Sequence, residues 1–533
     1  MKLLQFDSII IGAGISGLYQ LHKCRDELNL KTLVIEEGTD IGGTWYWNRY
    51  PGARCDSESH TYGYTFSEKI YKNWIWKEKF PKQNTILKYL KYVEKKLNLK
   101  KNILFNNRIV SAKYLENKKL WQLKTNKNKV FLTKYLICAV GSLSAANIPN
   151  IKGLNTFKGK YYHTGRWPKQ KVNLKDQVVA QIGTGSSGIQ VAPEIAKVVK
   201  KLVIFQRTPN YSIPARNKKL TKEIINNYQK NYRKIKNLIK KTPGGHTFNF
   251  PTRSVFDFNK IERNKIFEKA WLKGSLSFRA CFGDITKKLK ANKKASDFIK
   301  EKILNTVKDK NLAKILTNFD HPFTSKRPTL NTNYYETFNR KNVELIDLKK
   351  NPIVRITKKG IKTKNDNFNF DKIIFATGYD ALTGPLLSLN LVGKNKIKLK
   401  NFWSKSPKTY LGLMIPNFPN LFIIQGPGSP SVLTNVPVQI EQHVEWITNC
   451  LNFLNKKNKK TIEATVDSAK KWSNEIKKLA DASLFMKAKI SWYKGDNIPG
   501  KPKVFIPYPG GLPKYRNICN KVEKNQYKDF LIK

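Results

Sequence analysis

Apolar residues along the chain follow one pattern twice: a short apolar run, a glycine-rich turn, a stretch with helical spacing and a second short apolar run. The first copy has its apolar runs at residues 8–11 and 32–35 and its helical stretch at residues 18–28. The corresponding segments of the second copy are residues 178–182, 202–205 and 189–199. Apolar runs of this length are typical of buried parallel strands. The pattern predicts an α/β protein with two Rossmann-like dinucleotide-binding domains.

Each copy carries a G-x-G-x-x-G turn between its first strand and its helix. The glycines allow a tight turn and a close approach of the backbone to a pyrophosphate, which the helix N-terminus then binds. We therefore expect two dinucleotide sites. The residues predicted to form them are Gly12, Gly14 and Gly17 in the first copy, and Gly183, Thr184, Gly185, Ser186, Ser187 and Gly188 in the second.

The residue at the end of the second strand distinguishes the two sites. Glu36 lies 24 residues after Gly12, and Arg207 lies 24 residues after Gly183. A carboxylate at this position accepts hydrogen bonds from a ribose diol, whereas a cation suits a 2′-phosphate. The first site is predicted to bind FAD or NAD and the second NADP, with an ordinary surface arginine as the alternative for Arg207.

The remaining segments complete a discontinuous arrangement. Residues 135–141 and 373–378 are strands that return the chain to the two sheets, and residues 218–320 keep a helical period with a lysine-rich face. We predict an FAD domain from residues 1–150 and 385–533, an NADP domain from residues 151–215 and 325–384, and a helical insertion at residues 216–324.

Charge is the unusual feature of the composition. The 533 residues include 100 Lys+Arg and 38 Asp+Glu, a net charge of +62. Such an excess is typical of nucleic-acid-binding proteins. However, residues 1–60 hold six basic and eight acidic side chains, whereas residues 218–240 hold eight basic side chains and one acidic side chain. The excess thus lies on solvated helical faces, and compositional drift is the favoured explanation; no nucleic-acid partner is expected.

Cysteine usage and hydropathy indicate the compartment. The six cysteines include no C-x-x-C pair, which argues against structural zinc and favours a reducing environment. No apolar run is long enough for a transmembrane helix, and Asp7 interrupts a signal-like N-terminus. We expect a cytoplasmic protein without a metal, a monomer or weak oligomer.

Two dinucleotide sites on one chain indicate that NADPH delivers a hydride to a flavin. Because no redox cysteine pair is present, reaction of the reduced flavin with O₂ is the favoured next step. A monooxygenase acting on amines or sulfides, a basic nucleic-acid-binding flavoprotein and a scaffold without turnover remain alternatives.

Long motifs identify the family. The stretch FKGKYYHTGRWP contains Phe157, Gly159, His163, Trp167 and Pro168, and GGTWYWNRYPGARCD covers residues 42–56. Further motifs lie at residues 326–345, 375–384 and 491–502. With these motifs the chain resembles the type I Baeyer–Villiger monooxygenases over nearly its whole length, except in the helical insertion. One departure is Lys169, where the family often has Asp.

The resemblance implies an FAD- and NADPH-dependent enzyme. It would insert one oxygen atom of O₂ next to the carbonyl of an apolar ketone, through a C4a-peroxyflavin, to give an ester or lactone. Arg327 matches the arginine that stabilises the negatively charged oxygen, a role that suits a side chain unable to lose its proton. Asp56 matches the acid that orients this arginine.

The resemblance also assigns residues to the cofactors. Glu36 would bind the FAD ribose, and Thr44, Trp45 and Asp56 would lie along the flavin. Lys326 and Thr208 would join Arg207 on the 2′-phosphate, and Trp492 would lie near the nicotinamide in a mobile loop. The fingerprint residues, His163 included, would couple the domains, and residues 426–437 resemble a loop near the substrate. A solvated Lys326 and a core Trp492 remain alternatives.

Overall fold

A computed structural model describes residues 4–533 of the chain. Its strands are β1 (Leu4–Ile11), β2 (Thr32–Ile35), β3 (Ile103–Leu104), β4 (Ile109–Leu115), β5 (Leu120–Thr125), β6 (Val130–Cys138), β7 (Lys160–His163), β8 (Val178–Ile182), β9 (Lys201–Gln206), β10 (Ser212–Pro214), β11 (Thr329–Asn331), β12 (Val343–Asp347), β13 (Ile353–Ile356), β14 (Gly360–Thr363), β15 (Asn367–Asn369), β16 (Lys372–Phe375), β17 (Leu391–Val392), β18 (Leu421–Ile423), β19 (Ile462–Ala464) and β20 (Phe530–Ile532).

The α-helices are α1 (Ile15–His22), α2 (Thr44–Trp47), α3 (Glu68–Lys72), α4 (Gln83–Lys96), α5 (Ser186–Ile195), α6 (Lys222–Lys230), α7 (Tyr232–Lys241), α8 (Lys260–Lys273), α9 (Leu289–Thr306), α10 (Lys310–Leu316), α11 (Tyr334–Thr337), α12 (Gly384–Leu387), α13 (Leu399–Phe402), α14 (Val436–Lys456), α15 (Val466–Asp481) and α16 (Leu512–Lys524). Short 3₁₀ turns connect several of them.

The first sheet has the order β17-β4-β5-β6-β1-β2-β3, with β18 beside the end of β6. Its centre is parallel, since Ser8 on β1 pairs with Thr32 on β2 and with Tyr135 on β6. The antiparallel strands β4 and β5 extend it on one side. The sheet thus combines N-terminal strands with β17 and β18 from the C-terminal third.

The second sheet has the order β12-β9-β8-β16-β7, and every neighbouring pair is parallel. Strand β16 lies between β7 and β8. The chain therefore returns to this sheet at residues 372–375, as expected. The predicted α/β class with two Rossmann-like units is confirmed. The domain limits given above stay predictions.

The first helix differs in detail from the sequence expectation. It begins at Ile15 instead of Leu18, because the glycine turn itself forms the first helical turn, with the Leu18 amide bonded to the Gly14 carbonyl at 3.0 Å. After His22 the helix widens to a π-turn, in which the Leu28 amide donates to the Lys23 carbonyl at 3.1 Å.

The helical insertion contains α6 to α10, and its helices pack on two different parts of the protein. Its helical period at residues 220–239 is divided at Asn231 into α6 and α7. The Asn231 side chain donates to the Asn227 carbonyl at 3.0 Å, a local bond that competes with helix continuation. The apolar face of α7 packs on Val438 and Leu512, whereas residues of α8 and α9 share a core with the second sheet.

Two further observations concern the cysteines and the apolar character of the helices. All six cysteines are free and buried. Among residues 4–533, none of the helices has both the length and the apolar character that crossing a membrane requires.

Candidate functional site

The glycines of the first turn allow tight packing at the end of β1. Gly12 has φ +103°, and a Cβ there would lie 2.7 Å from the Ala139 carbonyl oxygen. A Cβ on Gly17 would lie 1.8 Å from the Gly12 carbonyl oxygen, so helix α1 can approach the strand only because this residue is glycine. The turn therefore presents the N-terminus of α1 to the space beyond the sheet, as a bound pyrophosphate requires.

Glu36 lies at the end of β2, beside this turn. Its carboxylate accepts hydrogen bonds from the amides of Ala13 at 2.7 Å and Gly38 at 2.6 Å, which fixes its position. Burial raises the pKa of Glu36, and the two amides oppose that rise. The geometry places an acceptor where a ribose diol of a dinucleotide would lie.

Open space at the carboxyl ends of the strands fits a dinucleotide at each sheet. A Cβ built on Gly141, after β6, or on Gly378, after β16, would meet no atom within 4 Å. The same is true of Gly185 in the second glycine turn. Ligands of open α/β sheets bind at this edge. The bare backbone is therefore consistent with FAD at the first sheet and NADP at the second.

The segment with Thr44 and Trp45 lies against the first turn. The Gly42 amide donates to the Ala13 carbonyl at 2.9 Å, and helix α2 starts directly afterwards. Thr44 is exposed, whereas Trp45 is buried and donates from its indole nitrogen to the Tyr62 hydroxyl at 3.2 Å. Thr44 is thus accessible to a ligand, whereas Trp45 packs in the hydrophobic core.

The second glycine turn repeats the first. A Cβ on Gly183 would lie 2.5 Å from the Ala376 carbonyl oxygen, and one on Gly188 would lie 2.4 Å from the Gly183 carbonyl oxygen. Thr184 donates to the Thr208 carbonyl at 3.4 Å, which ties the turn to the end of β9. Ser186 is exposed at the start of α5, and Ser187 bonds to the Thr164 hydroxyl at 3.0 Å.

Arg207 and Lys326 lie near each other at this second site. Arg207 is exposed at the end of β9, and Lys326 is partly buried, with its Nζ 3.4 Å from Asp320 Oδ1. Burial lowers the pKa of Lys326; Asp320 opposes this, and the charge of Arg207 adds to the lowering. Two cations that repel each other form a suitable site for the dianionic 2′-phosphate of NADP.

Arg327 and Asp56, the two residues predicted to act in oxygen transfer, form an ion pair. The Arg327 Nη2 lies 3.6 Å from Asp56 Oδ2, and both side chains are largely withdrawn from solvent. Burial raises the pKa of Asp56, and the guanidinium opposes that rise. For Arg327, burial disfavours the charge, but Asp56 outweighs it and the pKa lies above its ordinary value. The guanidinium is therefore a fixed positive charge.

Backbone groups hold Arg327 from two further directions. Its Nη1 donates to the Val432 carbonyl at 2.9 Å, and its own carbonyl accepts from the Asn210 side chain at 2.8 Å. Val432 belongs to the loop at residues 426–437, the stretch compared above with a substrate loop. The structure thus joins Arg327, Asp56 and this loop in one place.

The fingerprint stretch contacts the first domain at several points. His163 is buried, accepts from the Gly165 amide at 3.0 Å and lies edge-on to the Tyr379 ring. The Tyr379 hydroxyl donates to Asn48 near the first turn. Burial lowers the pKa of His163 to about 4, so the imidazole is neutral near pH 7. This position is consistent with the predicted role in coupling the domains, which stays a prediction.

The other fingerprint residues serve packing. Gly159 has no room for a Cβ, which would lie 2.5 Å from the Asp371 carbonyl oxygen. Phe157 packs on the second sheet, and Trp167 is buried against Tyr162, directly before the partly exposed Pro168.

Charged side chains in the same stretch also reach the first domain. Arg166 pairs with Glu37 at 3.2 Å and stacks 4.2 Å above Trp47, and Lys169, the departure from the family pattern, donates to Thr39.

Trp492 lies at the boundary between the two sheets. It is partly buried in a small apolar cluster with Leu143, Ala381, Leu382 and Ile506. This position is consistent with contact to a bound nicotinamide. Mobility of its loop stays a prediction.

Three further residues near Arg327 have no role predicted from the sequence. Tyr493, His246 and Arg279 all interact electrostatically with Arg327 or with one another. His246 and Arg279 fall in no motif, whereas Tyr493 lies in the motif at residues 491–502, directly after Trp492. A narrow crevice of about 10 Å³ at this point, room for about one water, is lined by Asp56, Glu58, Thr61, Phe80, His246, Thr247, Phe248, Ser275 and Leu276.

Comparisons with known proteins agree with this geometry. Residues 7–227 match the family model described as flavin-binding monooxygenase-like. The chain is 40% identical to cyclohexanone 1,2-monooxygenase of Acinetobacter sp. over 99% of this chain and 96% of the relative. It is 36% identical to the phenazine N-monooxygenase PhzNO1 of Lysobacter antibioticus, over 99% and 97%. The solved structure of the OTEMO complex with FAD and NADP matches with a TM-score of 0.95 at 35% identity, covering 100% of both chains.

Proposed function

Because the chain belongs to the Baeyer–Villiger monooxygenases, we propose that it uses FAD and NADPH to insert one oxygen atom of O₂ next to a ketone carbonyl. The reaction consumes ketone, O₂, NADPH and a proton, and yields an ester or lactone, NADP⁺ and water. The observation that carries the proposal is the Arg327–Asp56 pair at 3.6 Å, in a fold that leaves open backbone at Gly141, Gly185 and Gly378 for the two cofactors.

The residues that would hold the cofactors follow from the two turns. Gly12, Gly14, Gly17 and Glu36 would bind FAD, with Thr44 along the flavin. The second turn at residues 183–188, with Arg207, Thr208 and Lys326, would bind NADPH. Bound FAD, reduced by NADPH, supplies the activation of O₂ for oxygen transfer.

Arg327 would stabilise the transition state of the oxygen transfer. Attack on the carbonyl places negative charge on the carbonyl oxygen, and a fixed guanidinium stabilises that charge most in a site shielded from water. Asp56 holds the guanidinium on one side and the Val432 carbonyl holds it on the other. Neither Arg327 nor Asp56 needs to exchange a proton in this role.

The compartment and partners are inferred in the same way. The six free, buried cysteines favour a reducing compartment, and we place the enzyme in the cytoplasm. Its partners would be O₂ and a carbonyl compound with an apolar part, and the chain would act as a monomer or weak oligomer. Light scattering of the FAD-loaded protein tests the oligomeric state.

The test is NADPH oxidation across a panel of cyclic and linear ketones, with identification of every product. We expect oxygen inserted beside the carbonyl for at least one ketone, with NADPH consumed in equal amount. The panel also includes sulfides and aromatic N-heterocycles, because one relative is named for N-oxygenation. Efficient N- or S-oxidation, together with hydrogen peroxide instead of esters from every ketone, would overturn the proposal.

A further inference from the structure

A chain of buried polar side chains is bonded to the loop at residues 426–437. Its members are Gln439 and His443 on α14 and Tyr515 on α16, and all three are fully buried. Gln439 and His443 are four positions apart, so they lie on the same face of the helix. Burying polar groups costs free energy unless each one is hydrogen-bonded, so the bonds of this chain hold it in a defined arrangement.

His443 bonds to the residue that precedes the loop. The Gln425 amide donates to His443 Nδ1 at 3.1 Å, so Nδ1 carries no proton. Burial, followed by the charge of Arg516, lowers the pKa of His443 to about 3, and the neutral ring near pH 7 therefore has its proton on Nε2. The Tyr515 hydroxyl lies 2.9 Å from Nε2 and donates its own proton to the Leu411 carbonyl at 2.6 Å. The Tyr515 oxygen thus accepts from His443.

Gln439 extends the chain to the far end of the loop. Its amide nitrogen lies 3.2 Å from His443 Nε2, and its amide oxygen lies 3.3 Å from the Thr434 hydroxyl. That hydroxyl donates its proton to the Ser431 carbonyl at 3.0 Å, and His443 Nε2 is itself a donor. The two ends of an amide fill nearly the same space, and turning Gln439 end for end gives every donor in the chain an acceptor.

The chain thereby holds both ends of the loop that contacts Arg327. Gln425 directly precedes the loop, and Thr434 lies near its end. Between these two points the Val432 carbonyl accepts from Arg327 Nη1 at 2.9 Å. The backbone beside it is strained, with φ +42° at Ser431, and such a conformation persists only where the surrounding bonds enforce it.

We propose that Gln439 and His443 are positioning residues for oxygen transfer: they hold the loop so that the Val432 carbonyl keeps the Arg327 guanidinium aligned with the reacting carbonyl. The inference rests on the proposed function and adds two residues that act through the loop. Stabilisation of a developing oxyanion depends on a charge fixed in advance at the right place. Neither Gln439 nor His443 needs to exchange a proton in this role.

The test measures ester formation and flavin reduction separately in FAD-loaded Gln439→Met and His443→Phe. Both substitutions keep the approximate size of the side chain and remove its polar atoms. With a ketone that wild type converts, ester formation should fall about tenfold or more, since displacing a catalytic group by about 1 Å can cost about 10² in rate. Flavin reduction by NADPH should match that of wild type, and hydrogen peroxide should account for the NADPH that yields no ester.

Gln442→Met is the matched control for Gln439→Met. Gln442 lies on the same helix and is also buried, but within residues 4–533 its amide has no hydrogen-bond partner. The substitution therefore removes the same atoms from the same helix and leaves the chain to the loop intact. Its yield of ester per NADPH oxidised should equal that of wild type.

Conservative variants of His443 break the two halves of the chain separately. His443→Asn keeps an acceptor near the position of Nδ1 for the Gln425 amide, and His443→Gln keeps a donor near the position of Nε2 for Tyr515. Each should retain part of the ester formation that His443→Phe loses.

A double variant tests whether the effect passes through Arg327. In the Arg327→Ala background, Gln439→Met should cause little further loss of ester, because both changes remove the same interaction. A general weakening of the fold would instead lower ester formation by the same factor in both backgrounds.

The outcomes separate the explanations. Ester formation near the wild-type rate in Gln439→Met and His443→Phe, or an equal loss in Gln442→Met, would overturn the inference. Flavin reduction that falls in proportion to ester formation, or an undiminished further loss in Arg327→Ala, would also overturn it. If wild type yields no ester from any ketone, the proposed function fails and the inference falls with it. Should His443→Phe lose its FAD, His443→Asn and His443→Gln carry the test.

Discussion

Arg327 is the residue on which oxygen transfer should depend most. In Arg327→Ala, NADPH should still reduce the flavin, because the two glycine turns and Arg207 are untouched. Ester formation should fall at least 100-fold, since removal of a group that stabilises a developing oxyanion typically costs about 10²–10³ in rate. Stopped-flow reduction and product analysis measure the two steps separately.

The control for this variant is the exposed Arg340, which donates to Asn342 at 3.3 Å. Arg340→Ala should match wild type in both steps. Esters formed by Arg327→Ala at a rate near that of wild type would show that the assignment of this residue is wrong.

Arg207 should determine the preference for NADPH over NADH. In Arg207→Ala the apparent KM for NADPH should rise about tenfold or more, and the KM for NADH should change little, because NADH has no 2′-phosphate. Lys326→Met should act in the same direction. Initial rates of flavin reduction with each nucleotide measure both constants, and equal changes with NADPH and NADH would rule out the 2′-phosphate role.

At the scale of single residues, the sequence predicts those site residues that lie within family motifs. Arg327 and Asp56 lie far apart in the chain, yet each falls in a long motif of the family, and the ion pair between them was expected. Arg279 lies in the stretch S-F-R-A, which carries no motif. Its electrostatic interaction with Arg327 arises from the fold, and no residue spacing indicates it.

At the scale of the elements, Gly185 and Gly188 of the second glycine turn should have different roles. Gly188 allows the helix to pack on the strand, and Gly185 leaves room for a ligand. A Cβ on Gly188 would lie 2.4 Å from the Gly183 carbonyl oxygen, so Gly188→Ala must push helix α5 off the strand. We expect a lower thermal midpoint and impaired NADPH binding. A Cβ on Gly185 meets no protein atom within 4 Å, so Gly185→Ala should fold normally and raise the KM for NADPH alone.

Thermal denaturation and NADPH kinetics of the two variants check this pair of expectations. A Gly185→Ala variant with wild-type KM would mean that NADPH does not approach the turn. A Gly188→Ala variant of unchanged stability would contradict the packing argument.

The elements themselves were largely predictable, and the exceptions have local causes. The strands of both β-α-β units lie within a few residues of the predicted runs, because short apolar runs beside glycine turns have few alternatives. The division between α6 and α7 was not expected, because the apolar period continues across Asn231. The Asn231 side chain bonds there to the Asn227 carbonyl and to the Asn227 side chain, and hydropathy does not detect such bonds.

At the scale of the whole molecule, the two sheets are joined by specific contacts as well as by chain connections. Tyr50 donates to Gln190 on α5 at 2.8 Å, and Arg166 pairs with Glu37. These contacts link residues distant in sequence, so the arrangement of the sheets could be inferred from resemblance but not from local pattern. The insertion supports this arrangement, since α7 packs on α14 and α16 while α8 and α9 pack on the second sheet's core.

The net charge of +62 is a property of the surface, and its effect should be non-specific. Lys222, Lys230 and Lys234 on α6 and α7 are exposed and lie outside both dinucleotide sites. Scattered exposed cations attract polyanions through counterion release, which depends steeply on salt and not on sequence.

We therefore expect duplex DNA of any sequence to bind at about 50 mM salt and to dissociate by about 200 mM. Fluorescence anisotropy with unrelated duplexes as competitors tests this. Binding that persists at about 0.15 M salt, or that favours one sequence, would revive a nucleic-acid role for the charge.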